Sequence, residues 1–135
     1  LINTISSDFS IIQLGDDREP ELENVIRFAG KHTMRESVSL LSQANFFIGP
    51  DSLLMHAANG LDVKSIIIFG GSRPTDCFGY EENINLATSP ECSPCWIHDG
   101  HETCGHKIKC MNNINQAQVL DAVVLLSSTK TNQNN

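Results

Sequence analysis

The run Phe46-Phe47-Ile48-Gly49-Pro50-Asp51-Ser52-Leu53-Leu54-Met55-His56-Ala57-Ala58 does most to limit what this chain can become. Phe46 to Ile48 reads as the end of a buried strand. The small-residue segment after it has helical spacing, and between the two stand Asp51 and Ser52, residue types that cap helices. A strand that turns at once into a helix aims the helix N-terminus at the rim of a parallel sheet. Free N–H groups and the positive end of the helix dipole then face the same crevice, where anions bind. Ser52 and His56 are four apart and share one helix face. Amides, a hydroxyl and an imidazole together suit a phosphate-bearing ligand. An ordinary cap followed by an ordinary surface histidine has the same spacing.

The rest of the chain repeats the alternation. Phe9 to Leu14 reads as a strand ending at Gly15. Glu19-Pro20 then opens a predicted helix, with Leu22, Val25, Ile26 and Ala29 on one stripe and Gly30 ending it. Thr33-Met34-Arg35-Glu36 has the spacing of a capping box. The helix it starts is expected to turn Met34, Val38, Leu41 and Ala44 inward. After Phe46 to Ile48, a helix over Ser52 to Asn59 is expected to stop at Gly60. Val63 to Phe69 is the most strand-like run and ends at Gly70-Gly71. A short strand is expected over Ile84 to Leu86. Asn115, with Gln118 three later, caps a last helix carrying Leu120, Val123 and Leu126 on one side. Strands alternating with helices predict a parallel α/β sheet. In such sheets ligands sit beyond the carboxyl ends of the strands. Gly15 to Glu19, Asp51 to His56 and Gly70 to Thr75 all follow strands, and so are expected on one edge.

Composition removes several classes of function. A formal net charge of -7 with 9 Lys plus Arg argues against a nucleic-acid-binding module, which needs a basic face. No apolar run approaches the roughly 20 residues of a transmembrane segment, and no charged stretch followed by an apolar one marks a signal peptide. With 40% hydrophobic residues in 135, the chain can build one domain, expected over residues 1–128. The polar tail 129–135 is expected to be disordered. A start at Leu1 rather than Met reads as a piece of something longer.

Four of the five cysteines fall in one segment, Cys92, Cys95, Cys104 and Cys110, spaced C-x2-C-x8-C-x5-C. Two residues between thiolates let both reach one tetrahedral ion, so Cys92 and Cys95 form a metal knuckle. His98, His101 and His106 lie among them as alternative ligands. A structural Zn or Fe site, free or redox-active thiols, and disulfides are the three readings. Four thiolates would close the coordination sphere, so such a metal would be structural and not catalytic. Cys77 stands apart and reads as an unpaired small hydrophobe.

Taken in order, Thr33-Met34-Arg35-Glu36, Ile48-Gly49-Pro50-Asp51-Ser52 with Met55-His56-Ala57-Ala58, Phe69-Gly70-Gly71-Ser72-Arg73-Pro74, Cys92-Ser93-Pro94-Cys95 and Cys110-Met111 resemble the C-terminal half of a family 9 glycosyltransferase. That group includes the lipopolysaccharide heptosyltransferases, and the likeness covers roughly residues 9 to 127. The resemblance implies a Rossmann-like parallel sheet with flanking helices, the C-terminal half of a GT-B architecture, here with a cysteine-rich loop over 92–110. It implies that this half binds a nucleotide-diphosphate sugar, typically ADP-heptose, for inverting transfer without a catalytic cofactor. The acceptor, a saccharide or lipid-linked glycan, and the catalytic base would belong to an N-terminal domain absent from this chain. It also implies a cytoplasmic protein, or one peripheral on the inner face of the inner membrane.

By motif, the amides of Ser52 and Leu53 would meet the donor diphosphate and His56 would stabilise its charge. Asp51, itself an anion, would bind sugar hydroxyls or orient its neighbours. Glu19 would accept from the ribose hydroxyls. Gly30 to Thr33, His32 among them, would lie near the base, and Ser72 near the donor. Two positions depart from the family pattern. Leu53 stands where relatives usually carry Gly, and Gly70-Gly71-Ser72 varies the usual Phe-Gly-x-Thr. The rival reading, from a different class, is a non-catalytic, metal-stapled Rossmann-like module that binds a protein partner.

Overall fold

A parallel strand pairing takes the place of the helix expected over residues 20–29. In the computed structural model, β1 (Ile12–Gln13) pairs with β2 (Ile26–Arg27), Ile12 opposite Ile26 and Gln13 opposite Arg27. A four-residue helix, α1 (Ile2–Ile5), precedes them and was not expected. The spacing of Leu22, Val25, Ile26 and Ala29 fits a helix, but Asn24 sits in the left-handed region at φ 58° and breaks it. The Arg27 guanidinium then ties down the connecting loop. It donates to the carbonyls of Asp17, Glu19 and Pro20 and to Gln13 Oε1. Leu22 and Ile26 remain exposed and Val25 is half-buried, so Ala29 is the one member of the stripe that is buried.

The structure describes residues 1–97 and 102–129. They form two compact units, one ending at Gln43 and the other beginning at Ala44. In the first, α2 (Met34–Leu41) begins with the capping box that the spacing predicts. Glu36 N–H donates to Thr33 Oγ1 at 3.3 Å, and Thr33 N–H donates to Glu36 Oε2 at 2.8 Å. Of the side chains expected inward, Leu41 is buried and Val38 half-buried, but Met34 is 51% exposed and Ala44 lies beyond the helix end, exposed. Ser37 takes a buried place instead.

In the second unit the sheet order is β3 (Phe47–Pro50), β4 (Ser65–Ile68), β5 (Ile84–Leu86), all parallel. The central strand, shorter than the Val63 to Phe69 run that predicts it, is covered on both faces. Ser65, Ile66 and Ile67 have no exposed surface, as expected of an inner parallel strand. Between β3 and β4 runs α3 (Leu53–Gly60), which buries Met55 and Ala58. Gly60 does not stop this helix but is its last residue. The chain turns two residues later at Asp62, φ 56°. Met55, Ile67 and Phe69 form a buried cluster, with Phe47, Phe78 and Tyr80 packed against it. A short α4 (Thr75–Phe78) follows β4, and α5 (Lys109–Asn112) precedes the last helix, α6 (Gln116–Thr129).

Asn115 and Gln118 cap α6 reciprocally: Gln118 N–H donates to Asn115 Oδ1 at 3.0 Å, and Asn115 N–H to Gln118 Oε1 at 2.8 Å. Val119, Ala122 and Val123 are its buried stripe, while Leu120 and Leu126 are half-buried. The helix includes Thr129, which the reading of the tail as disordered from residue 129 had excluded; residues 130–135 lie outside the described residues. Among the described residues no helix is long and apolar enough to cross a membrane.

Candidate functional site

β3 ends at Pro50, and Ser52 is the N-cap of α3, with extended backbone at φ −154° and ψ 174°. The Ser52 carbonyl accepts from Met55 and His56 N–H, but its side chain makes no capping hydrogen bond. The first turn of a helix leaves N–H groups without intrahelical partners. Here the hydroxyl that normally meets one of them makes no such bond, so the first-turn N–H groups have no partner in the Ser52 side chain. Leu53, the first helical residue, is 55% exposed.

Two side chains from later in the chain reach this junction. From the loop after β4, Arg73 Nη1 lies 3.4 Å from Asp51 Oδ2, and the guanidinium carbon stands 5.0 Å from the centre of the Phe78 ring. Asp51 is therefore not a bare anion at the helix start. Its carboxylate is partnered, and the pair brings a guanidinium to the helix start. From the segment before β5, the Tyr80 hydroxyl lies 2.9 Å from Nδ1 of His56, with the two rings edge to face at 5.7 Å. Neither Arg73 as the partner of Asp51 nor Tyr80 is foreseen from the sequence. The one available signal for Arg73 is a cation in a loop that follows a strand. Tyr80 has none.

Within the second unit, Asp51, Ser52, Leu53 and His56 are thus contiguous at the carboxyl edge of the sheet, as expected. Ser72 sits in the Arg73 loop after β4 on that edge and is half-buried, and its carbonyl accepts from Trp96 N–H at 3.1 Å. Glu19 and His32 belong to the first unit. Glu19 lies across Gly15 (φ 144°), its Cγ 2.9 Å from where a Cβ would stand, so only glycine fits there. His32 packs edge to face on Phe28 at 4.8 Å, with Nδ1 3.8 Å from Glu36 Oε2. The Thr33 N–H and hydroxyl hold the Glu36 carboxyl below its ordinary value, with a smaller contribution from His32. The depression lined by Asn59, Asp62, Lys64, Glu82 and Asn83 is at the opposite, amino end of β4 and β5, away from the β3–α3 junction.

The cysteines fold back onto the β4 loop. Cys95 N–H and Ser93 Oγ both donate to the Gly71 carbonyl, at 2.9 and 3.2 Å. A Cβ on Gly71 would stand 3.1 Å from both Cβ and Sγ of Cys110. The Cys110 carbonyl accepts from Thr88 Oγ1 at 2.6 Å, and Cys104 Sγ accepts from Ile108 N–H at 3.4 Å. Both ends of the cysteine segment therefore meet one glycine. Against expectation, no three His, Cys, Asp or Glu among the described residues stand together as metal ligands. The thiols are free, Cys95 exposed and Cys92, Cys104 and Cys110 half-buried. His106 is exposed, and His98 and His101 lie outside the described residues. Cys77 is exposed in α4 rather than packed as a hydrophobe.

The family model for glycosyltransferase family 9 (heptosyltransferase) matches residues 17–104, more than half of the chain. No curated protein sequence matches. Among solved structures the fold is similar to TibC, a dodecameric iron-containing heptosyltransferase determined in complex with ADP-D-β-D-heptose. The TM-score is 0.79 at 23% identity, over 99% of this chain and 41% of that one. A second TibC structure, of the bacterial iron-containing dodecameric glycosyltransferase from enterotoxigenic E. coli, gives 0.78 at 23% identity, over 95% and 39%. This chain thus spans about two fifths of the length of those proteins.

Proposed function

The chain belongs to glycosyltransferase family 9, and from that premise we propose that it is the C-terminal, donor-binding half of a GT-B enzyme. The donor is a nucleotide-diphosphate sugar of the ADP-heptose type, and the acceptor a saccharide of lipopolysaccharide or another surface glycan. The observation that carries this reading is the β3–α3 junction. It is a helix start whose serine hydroxyl is not spent on capping, with an imidazole one turn on and a guanidinium beside it.

Each group has a role in this reading. The amides of Ser52 and Leu53 and the Ser52 hydroxyl take the diphosphate oxygens. His56 and Arg73 offset the charge that grows on the diphosphate as the sugar leaves, the stage at which fixed donors lower a barrier. Asp51, neutralised by Arg73, faces sugar hydroxyls. Leu53 presents a bulky apolar side chain where a glycine would leave room, so it narrows which sugar fits. Ser72 lies near the donor. Inverting transfer needs a base within hydrogen-bond reach of the acceptor hydroxyl. That base belongs to an N-terminal acceptor domain outside this chain, so the chain alone binds donor without turning it over. The working location is the cytoplasm, in solution or at the inner face of the inner membrane.

The cysteines carry the donor chemistry of a structural zinc or iron site, and TibC is an iron-containing relative in fold. Thiolates of Cys92, Cys95, Cys104 and Cys110 would hold the ion only after the segment draws together, since among the described residues no three such ligands stand within reach of one ion. The Gly71 anchor at both ends of the segment favours closure of the loop, and a bound metal would staple it against β4.

Titration with ADP, GDP and UDP, followed by backbone amide shifts, tests the site. Saturable shifts at Ser52 and Leu53 with ADP are expected. Shifts confined to residues 92–110, or no saturation at millimolar nucleotide, would refute it.

A further inference from the structure

His56 is an exposed side chain on a helix, and an exposed imidazole ordinarily samples several rotamers and both neutral tautomers. Tyr80 removes that freedom. Its ring packs against the buried cluster of Met55, Ile67 and Phe69, so its position is set by the core. Its backbone is clamped as well. The Tyr80 carbonyl accepts from Asn85 Nδ2 at 2.9 Å and from Asn83 N–H at 3.2 Å. Gly79 makes room for the first of these, since a Cβ there would stand 2.7 Å from Asn85 Nδ2. A core-anchored hydroxyl 2.9 Å from Nδ1 therefore fixes a surface imidazole.

The chemistry of that contact determines what the other ring nitrogen does. A phenol hydroxyl is a better donor than acceptor, so it favours the neutral imidazole with a bare Nδ1 to receive its hydrogen over the tautomer with Nδ1–H, and it accepts from Nδ1–H of an imidazolium. In both forms Nε2 keeps its hydrogen and remains a donor. We propose that Tyr80 is a positioning residue: its hydroxyl commits His56 to the Nε2–H form, so that a hydrogen-bond donor always faces the nucleotide diphosphate. The partner of the free ring nitrogen sets the role of a histidine in the same way at metal and catalytic sites. The inference rests on the reading of His56 as a diphosphate ligand.

Tyr80→Phe tests it, because the ring and its packing stay and only the hydroxyl goes. The readouts are the tautomer of His56 from nitrogen-15 spectra of its side chain, taken where the ring is neutral, and the affinity for ADP. His56→Ala and the double variant complete the set. The wild type is expected to show the Nε2–H tautomer and Y80F a mixture. ADP affinity should fall about three- to tenfold in Y80F, the range of one lost hydrogen bond, with no further fall when Y80F is added to H56A. If H56A binds ADP as the wild type does, the diphosphate reading of His56 falls and this inference with it. If H56A weakens ADP while Y80F leaves either tautomer or affinity unchanged, the site stands and the role of Tyr80 is refuted. An equal loss from Y80F in the H56A background also refutes it, since Tyr80 then acts through packing.

Discussion

Arg73 Nη1 lies 3.4 Å from Asp51 Oδ2, an ion pair that joins the loop after β4 to the helix start after β3. Its geometry decides what it can contribute. The Arg73 side chain is 40% exposed and the separation exceeds that of a good hydrogen bond. The pair therefore adds at most about 1 kcal/mol to stability. In the proposed donor site its consequence lies in binding, because it would cancel a carboxylate beside the diphosphate.

Arg73→Gln is accordingly expected to leave the thermal midpoint within a few degrees of wild type and to weaken ADP about tenfold. Removing the uncompensated carboxylate should return part of that loss. Calorimetric titration of R73Q and of R73Q combined with Asp51→Asn checks both. Equal ADP affinity in R73Q and wild type would remove Arg73 from the site.

Ser52 separates structure from binding in a similar way. An N-cap serine that bonds its helix typically costs about 1 kcal/mol when changed to alanine. Ser52 makes no such bond. Ser52→Ala should therefore cost under about 0.5 kcal/mol in a urea melt while reducing ADP affinity several-fold. A full capping loss with unchanged ADP affinity would show that the hydroxyl serves the helix.

Elemental analysis of protein purified without chelator is expected to find about one zinc or iron per chain, a quantity set by four thiolates closing one tetrahedral sphere. Cys92→Ser and Cys95→Ser should both lose it and loosen the loop. Gly71→Ala should speed alkylation of Cys110, because the added methyl meets Cys110 Cβ and Sγ at 3.1 Å. A metal content near zero with four titratable thiols in the loop excludes the site.

The capping box of α2 predicts a pH dependence. Thr33 holds the Glu36 carboxyl below its ordinary value in the folded chain. The unfolded chain then binds that proton more tightly, so the contribution is complete above the ordinary value. It fades as pH falls through the lowered one. Amide exchange over residues 34–37 should accelerate in that window in wild type. Glu36→Gln keeps a box acceptor without a titrating group and should not show the change.

Local signals were enough for several elements. Thr33 with Glu36 and Asn115 with Gln118 each close within one helical turn, so three-residue spacing determined both helix starts, and both are present. The run Ile84 to Leu86 forms its strand with the expected bounds, and the β3–α3 junction stands where its residues place it. Those features depend on neighbours a few positions away. The segment from Pro20 to Ala29 does not. Its apolar spacing suits a helix, but pairing of Ile26 with Ile12 and the hold of Arg27 on distant carbonyls make it a loop and a strand. Arg73 against Asp51, Tyr80 against His56 and Cys110 against Gly71 likewise join residues more than twenty positions apart. Spacing can say which residues share a helix face or a strand face. Which loop meets which is decided by how the sheet stacks and what its core can bury, and that exists only once the chain has folded.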